Sequence, residues 1–411
     1  MTPAQRNTFF AAFLGWSLDA FDFFTVIFCV SAIATEFNAK VSGVAEAIFV
    51  TLAMRPVGAF LFGMMADRFG RRVTLMVDII AYSVFELASA FAPSLKAFII
   101  LRAFFGIAMG GEWGVGSALA FETLPAKGRG FFSGFLQEGY TFGYLLAALV
   151  YGTLFTLIGW RGMFMVGALP ALLVIYIRSK VDESPAWVSG RAAKKMEIRP
   201  RLSLLGYIWR WLLSVLPYIG SLAFLVVLMT AFNSFSHGTE DLLPTFLQKN
   251  RGFSPHTVGL IGVLSSAGGM LGGITFGALS ERWGRRRAIV TAAILTIPVI
   301  PLWVYSHSVR ALTAGNFLMR FLVQGAWGVV PAHLNELSPP AVRGTFPGLA
   351  YQLGNLISSR NVVVQAKLVE GRFKGSYPPM FAWTVVIVAS AVALLATIGK
   401  EKKGCDLSGT T

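Results

Sequence analysis

The sequence predicts an all-α integral membrane protein with twelve transmembrane helices, arranged as two pseudo-symmetric bundles of six. Composition is the first observation: of 411 residues, 55% are hydrophobic and only 13% are charged, and the mean hydropathy is +0.65. Apolar runs of about twenty residues, the length that crosses a bilayer, recur along the chain. Two motifs also occur twice with one spacing, which indicates a duplicated unit.

The apolar runs define the predicted spans in order. The first run is too long and too interrupted by charge to be a cleaved signal peptide, and no small-residue cleavage site follows it, so we expect it to remain. The twelve runs begin near Thr8, Val44, Thr74, Leu95, Phe131, Gly162, Leu213, Thr257, Ala288, Ala311, Thr345 and Pro379.

The duplicated unit is visible in two pairs of motifs. GMMADRFGRR begins at Gly63 and GALSERWGRR at Gly277, while ETLPAKGRG begins at Glu122 and ELSPPAVRG at Glu336. The distance along the chain from Gly63 to Gly277 equals that from Glu122 to Glu336, which disfavours chance resemblance between short basic loops. The repeat predicts an N-terminal six-helix bundle (1–179), a cytoplasmic linker (180–210), a C-terminal six-helix bundle (211–399) and a cytoplasmic tail (400–411).

The net charge of +15 raises the alternative of a nucleic-acid partner. With loops assigned alternately from a cytoplasmic N-terminus, 22 Lys and Arg residues fall on the inner side and eight on the outer side. This asymmetry is the positive-inside pattern of membrane proteins. It predicts a multi-pass protein of the cytoplasmic membrane with both termini in the cytoplasm, embedded in the lipid bilayer and not bound to nucleic acid. We expect a monomer.

Sequence patterns of enzymes and metal sites are lacking. The glycine runs GIAMGGEWGVGS and GGMLGGITFG have no G-K-S/T of a phosphate loop and suit close helix packing. The four histidines have no zinc-ligand spacing, and no nucleophile-elbow signature occurs. Cys29 lies in the first span and Cys405 in the tail, so no disulfide is expected. We predict that the protein is not an enzyme and holds neither metal nor cofactor.

Charged side chains inside spans are functional candidates, because each costs at least about 2.5–3.5 kcal/mol in hydrocarbon. Asp19 and Asp22 are three residues apart, on one face of the first span. Two close carboxylates in an apolar environment favour a proton bound to one of them, which makes this pair a candidate for proton coupling. The alternative is a structural ion pair with Arg55 or Arg102.

Other polar residues are candidates for contacting a solute. Arg55 precedes Pro56 in the second span, and its planar guanidinium suits bidentate binding of a carboxylate, unless it pairs with Asp19 or Asp22. In the fifth span, Glu138 is a further proton-coupling candidate and Tyr140 a substrate contact. In the eleventh span, Gln352 and Asn355 share a face and suit hydrogen bonding to a small polar solute. Interhelical hydrogen bonding is the alternative role for these residues.

The loop motif resembles that of the major facilitator superfamily, G-x-x-x-D-R/K-x-G-R-R/K, and LRAFFGIAMGG resembles the superfamily's fourth-helix motif. The resemblance covers nearly the whole chain and implies alternating-access transport. The loop charges would form a latch that favours one conformation; topological anchoring is the alternative. The predicted latch residues are Gly63, Asp67, Arg68, Arg71, Arg102, Glu122, Arg129, Glu281, Arg282, Glu336 and Arg343.

The stretch NSFSHGTEDLLPT resembles the seventh-helix signature N-x-x-S-H-x-S-Q-D-x-x-x-T of Jen-type monocarboxylate–proton symporters, in the sialate–proton symporter branch. Thr239 and Glu240 depart from it, standing where that family has serine and glutamine. The resemblance implies transport roles for Asn233, His237 and Asp241. It also implies substrate recognition by Arg55, Gln352 and Asn355, and a selectivity role for an aromatic residue of the fifth span, best matched by Phe142.

The residues themselves support a polar stripe in the seventh span. Asn233, His237 and Asp241 follow one another at intervals of four residues, so they lie along one side of a helix. Histidine exchanges protons near neutral pH, and an aspartate one turn away stabilises its charged form or orients its ring. The alternative is that Glu240 and Asp241 are solvated residues at the outer mouth.

Together these patterns predict a proton-coupled symporter of a small monocarboxylate such as lactate or pyruvate, with protons as the coupling ion. A carrier of sialate or another sugar acid is the first alternative, since VDESPAW after the sixth span resembles the sugar-porter pattern. A sensor that binds a carboxylate without moving it is the second.

Overall fold

The protein is described from a computed structural model. The structure describes residues 1–123, 135–184, 187–188, 216–338 and 346–401, without the side chains of Asp67, Phe121, Glu122 and Asn335. Most of the predicted linker and tail, and the predicted latch residues Arg129 and Arg343, lie outside these residues. The regular structure of the described residues is entirely helical.

The described residues of the N-terminal half form six α-helices. They are α1 (Pro3–Glu36), α2 (Val41–Phe69), α3 (Arg71–Ala90), α4 (Leu95–Thr123), α5 (Gly139–Val166) and α6 (Leu173–Lys180), with a 3₁₀ turn at Leu169–Leu172. Helix α1 is buried along most of its length, and it packs on α4 and α5. It is therefore a central helix of this half.

The described residues of the C-terminal half form eight α-helices. They are α7 (Ile219–Glu240), α8 (Leu243–Lys249), α9 (Pro255–Trp283), α10 (Arg285–Leu295), α11 (Val309–Leu337), α12 (Phe346–Ser358), α13 (Asn361–Glu370) and α14 (Tyr377–Ile398). Short 3₁₀ segments lie at Leu216–Tyr218 and Ile297–Val299, and a π-helical turn at Pro301–Tyr305.

The helices account for the predicted spans. Nine helical segments of the described residues are long and apolar enough to cross a membrane. The other three predicted spans coincide with the segment after Gly159, with α11, and with α12 followed by α13. At Gly159 the backbone has φ 64° and ψ −176°, which breaks α5 into two helices. Glycine suits this point because a side chain would be strained at positive φ, and the break separates the predicted fifth and sixth spans.

Two glycines at equivalent places of the repeat allow close helix packing. A Cβ at Gly58 of α2 would overlap the carbonyl oxygen of Ile107 in α4. A Cβ at Gly272 of α9 would overlap the carbonyl oxygen of Phe321 in α11. Gly272 follows Gly58, and Phe321 follows Ile107, at the same distance along the chain that separates the repeated motifs. The same small-residue contact therefore stabilises both halves.

We expect Gly58→Ala to destabilise the protein by about 1–3 kcal/mol, because the methyl group forces two backbones apart. The control is Gly114→Ala in α4, where nothing lies within 4 Å of the added Cβ; alanine's better helix propensity should leave that variant unchanged or slightly more stable. Denaturant unfolding in detergent measures both. Equal stability of the two variants would contradict the packing role.

Candidate functional site

Arg55 lies at the interface of the two halves between aromatic rings. Its Cζ atom is 5.8 Å from the ring centre of Trp16 in α1 and 5.9 Å from that of Tyr351 in α12. The side chain is fully buried, and its three guanidinium nitrogens have no hydrogen-bond partner within the described residues. A buried donor without a partner costs about 1–3 kcal/mol, and more when charged. Such a group is suited to receive an anion.

The aspartates of α1 do not form the ion pairs considered from sequence. Asp19 and Asp22 are fully buried, and neither carboxylate has a hydrogen-bond or ion-pair partner among the described residues. Arg102 of α4 instead pairs with Glu86 of α3. The charge of Arg55 acts on Asp19 more strongly than that of Arg102, without direct contact.

The carboxylates of the N-terminal half form a connected group. A Cβ at Gly167 would lie 2.6 Å from both Oδ1 of Asp22 and Cγ of Glu86, so these two side chains converge there. Asp78 of α3 and Glu112 of α4 are close enough to share a hydrogen bond once one carries a proton.

The buried charges of the N-terminal half do not balance. Among its described residues, the fully buried carboxyl groups belong to Asp19, Asp22, Asp78, Glu86 and Glu112, and the fully buried cations to Arg55 and Arg102. Ionisation of all five would leave an excess of negative charge in an apolar interior, at a cost that protonation avoids. Protonation of some of these carboxyl groups would lower the cost of burying them together.

The polar stripe of α7 is buried and internally bonded. Nδ1 of His237 lies 3.1 Å from Oδ1 of Asp241, and Asn233 donates to the carbonyl of Met229 at 2.9 Å. Asp241 is fully buried and Glu240 is 2% exposed. The alternative of solvated residues at an outer mouth does not describe this conformation.

A small cavity lies between the halves. It encloses about 30 Å³, which holds about two water molecules. It is lined by Gln137, Glu138, Tyr140, Thr141, Asn233, Ser236, His237, Gln324, Trp327, Gly328 and Tyr351. These residues come from α5 and the turn before it, and from α7, α11 and α12. Both halves therefore build the cavity.

Gln352 and Asn355 lie next to the cavity-lining Tyr351 on α12. Both are buried, and Oε1 of Gln352 and both polar side-chain atoms of Asn355 lack hydrogen-bond partners within the described part of the chain. The interhelical hydrogen bonds considered as their alternative role are thus not formed by these atoms. Phe142 packs against Phe13, with 5.7 Å between ring centres, and does not line the cavity, whereas Tyr140 does.

The halves are joined at the end of the molecule opposite the termini, here called the distal end. Ser42 of α2 donates its N–H and hydroxyl to Glu370 of α13, at 2.9 and 2.6 Å. Arg360, whose side chain is 52% exposed, pairs with Glu46 at 2.9 Å. These contacts between the halves close the distal end.

The loops of the predicted latch are held within each half at the other end. Glu183 accepts a hydrogen bond from the N–H of Arg71 at 2.9 Å, and Glu401 accepts one from Arg286 at 3.0 Å. Each carboxylate thus caps a helix N-terminus, where negative charge is favourable. Gly63, Arg68 and Arg282 are exposed, and Arg102 lies apart from the loops, buried with Glu86.

Arg285 connects the latch of the C-terminal half. It donates to Glu281 at 2.6 Å and pairs with Glu336 at 3.0 Å. Both glutamates were predicted from the motifs but this arginine was not, although Arg285 is the repeat equivalent of Arg71. The spacing of the repeat was a signal that could have identified it.

The same spacing relates the polar positions of the site. Asp19 corresponds to Asn233, Glu138 to Gln352, and Thr141 to Asn355, each pair separated by the spacing of the repeated motifs. Most of these residues were predicted separately, without their equivalence. No role was predicted for Asp78, Glu86, Glu112, Trp16 and Arg320, whose importance depends on helix rotation and neighbours.

A helical membrane protein whose two halves together build a polar cavity has the architecture of a secondary transporter. The family model described as "Sugar (and other) transporter" matches residues 5–201 and 217–397. The chain belongs to this family, within the major facilitator superfamily, and is not an enzyme. The predicted superfamily, fold class and multi-pass membrane character are confirmed.

Relatives and solved structures agree with this assignment. The chain is 30% identical to the "Carboxylic acid transporter protein homolog" of Saccharomyces cerevisiae, over 90% of this chain but only 62% of the yeast protein. It is 27% identical to "Sialic acid transporter NanX" of Escherichia coli, over 98% and 96% of the two chains. The fold matches a partially occluded, inward-open structure of the E. coli xylose transporter XylE, with a TM-score of 0.77, 19% identity and coverage of 98% and 100%.

We expect Arg102→Gln to destabilise the protein by about 3–5 kcal/mol, because it leaves Glu86 buried without its partner. The double variant Glu86→Gln with Arg102→Gln removes both charges and should be less destabilised than the sum of the single variants. Denaturant unfolding in detergent gives this coupling. The control is Glu36→Gln, which removes the exposed partner of Arg161 and should cost only about 0–1 kcal/mol. Additive effects of the two buried substitutions would show that the pair is not coupled.

Proposed function

We propose that this protein is a proton-coupled symporter of small monocarboxylates, with lactate or pyruvate as the first candidates, in the cytoplasmic membrane with both termini in the cytoplasm. The observation that carries the proposal is Arg55: a fully buried guanidinium without hydrogen-bond partners among the described residues, between aromatic rings of the two halves. A carboxylate would satisfy its charge and two of its donors at once.

The surroundings of Arg55 suit a small organic anion. Trp16 and Tyr351 cover the guanidinium with apolar surface, and Gln352 and Asn355, on the same helix as Tyr351, offer unpaired amide atoms. The names of the yeast and E. coli relatives, a carboxylic acid and a sialic acid transporter, support an organic-acid substrate.

Proton coupling follows from the excess of buried carboxyl groups. Asp19 is the member nearest in charge interaction to Arg55, so an anion bound to Arg55 would raise the cost of ionised Asp19. Binding of substrate and binding of a proton at Asp19 therefore favour each other. The His237 and Asp241 pair and Glu138 supply further proton-accepting groups beside the cavity.

Transport would proceed by rocking of the two halves. With the distal end closed by Ser42, Glu370, Glu46 and Arg360, the substrate exchanges at the opposite end, on the cytoplasmic side in the proposed orientation. Opening the distal end requires these contacts to break. The conformation in which both ends are closed around the cavity would be the occluded state between inward and outward access.

The test is uptake of labelled lactate into proteoliposomes under an imposed inward proton gradient. We expect accumulation that collapses when a protonophore removes the gradient. Protein-free liposomes are the control. Equal uptake with and without the gradient would contradict proton coupling. A lack of uptake for every small monocarboxylate would contradict the proposed substrate class.

A sugar acid is the second candidate, favoured by the near-complete alignment with the sialic acid transporter of E. coli. Competition separates the two candidates, because only the true substrate class displaces bound ligand at low concentration. Displacement of lactate by sialate, without the converse, would favour the sugar acid. Ligand-induced stabilisation without flux would instead identify a sensor.

We expect Arg55→Lys to weaken carboxylate binding by about tenfold to a hundredfold, because lysine keeps the charge but loses the planar fork. Thermal-shift titration of purified protein measures the affinity. The matched control is Arg161→Lys, at an arginine that is 33% exposed and pairs with Glu36; its affinity should equal that of the wild type. Wild-type affinity in Arg55→Lys would assign Arg55 a structural role.

A further inference from the structure

A second buried arginine lies beside the cavity, already occupied by a carboxylate of the protein. Arg320 of α11 pairs with Glu240 of α7, and their side chains are 3% and 2% exposed. The hydroxyl of Ser236 donates to Oε1 of Glu240 at 2.9 Å. Ser236 lines the cavity, as does Gln324, one turn from Arg320 on α11. Arg320 and Glu240 do not themselves line the cavity, so the ion pair lies directly behind its lining.

Arg320 also contacts the opposite half. Its Cζ atom lies 5.0 Å from the ring centre of Tyr144 in α5, and Nε and Nη2 have no hydrogen-bond partner within the described residues. A guanidinium with two further donors available could bind a second carboxylate, but ionised Glu240 already compensates its charge. The two anions would therefore compete for one cation.

We infer that Arg320 is a second carboxylate-binding residue, contributed by the C-terminal half, and that Glu240 is its proton-controlled competitor. This inference rests on the proposed function. When Glu240 takes up a proton, its attraction for Arg320 weakens, and the substrate carboxylate replaces it on the guanidinium. Release of the substrate reverses the exchange.

The exchange leaves the charge of the site unchanged. Before it, ionised Glu240 faces Arg320; after it, Glu240 is neutral and the substrate carboxylate, shared with Arg55, faces Arg320. One proton therefore enters with one monocarboxylate, and no net charge is added to an apolar interior, where an uncompensated charge is costly. Glu240 stands where the resembled symporters have glutamine, and Arg320 is the cation that makes a carboxylate tolerable at this position.

Other titratable groups surround the pair and set the field in which Glu240 exchanges its proton. They are Glu138, Tyr140 and Tyr144 from α5 and the turn before it, His237 and Asp241 from α7 and its C-terminus, and Tyr351 from α12. Within the described residues, Glu240 is the carboxylate in direct ion-pair contact with Arg320, and Glu138 and Asp241 are not. The exchange is therefore assigned to Glu240.

The test is the pH dependence of lactate affinity, measured by thermal-shift titration of the purified protein. One proton taken up per lactate predicts that the wild-type dissociation constant rises about tenfold per pH unit above the titration midpoint. Glu240→Gln removes the competitor. The gain in lactate affinity over the wild type should therefore be largest at alkaline pH, and the dissociation constant of the variant should change clearly less with pH. Adding Arg320→Gln to Glu240→Gln should abolish this gain.

The matched control is Glu36→Gln, which removes an exposed glutamate paired with Arg161, and should keep the wild-type slope. A wild-type slope in Glu240→Gln would overturn the inference. If Glu240→Gln does not fold, Ser236→Ala serves instead: without the hydroxyl donor, ionised Glu240 is less stable, so the midpoint should move to higher pH, and an unchanged midpoint would overturn the inference. Wild-type protein that binds no carboxylate would remove the proposed function itself.

Discussion

Charge buried in an apolar interior is the constraint on which the arrangement of the helices depends. A lone ion there costs several kcal/mol or more, so it must be paired, protonated or covered. The bundle uses all three solutions: Glu86 pairs with Arg102, Asp78 and Glu112 are placed to share a proton, and Arg55 lies between aromatic rings. Arg55, which has no direct hydrogen-bond partner among the described residues, lies at the interface of the halves.

The repeat places polar residues at some equivalent positions of the two halves, but the residue types differ. Asp19 and Glu138 in the N-terminal half correspond to Asn233 and Gln352 in the C-terminal half. At each pair the N-terminal member is ionisable and the C-terminal member is a neutral amide. At these positions the N-terminal half thus offers titratable carboxyl groups and the C-terminal half offers amides, and Glu240 and Arg320 form a buried charge pair in the C-terminal half.

The spans, the repeat and most polar positions were predictable because hydropathy, charge asymmetry and motif spacing are properties of the chain itself. The partners were not. Arg102 was placed with the loop motif and lies with Glu86, and the latch of the C-terminal half is connected through Arg285, which was not selected. Pairing depends on the rotation and depth of each helix, set by contacts such as that of Gly58 with Ile107. The sequence by itself does not give the rotation or depth of a helix.

The position of Arg55 links binding to closure. Trp16 belongs to the N-terminal half and Tyr351 to the C-terminal half, so both rings cover the guanidinium only when the halves are close. An anion on Arg55 reduces the cost of burying that charge, and closure in turn removes water, which strengthens the interaction. An empty site keeps an uncompensated cation between the rings. In the proposed mechanism, substrate would therefore favour the closed arrangement through charge compensation.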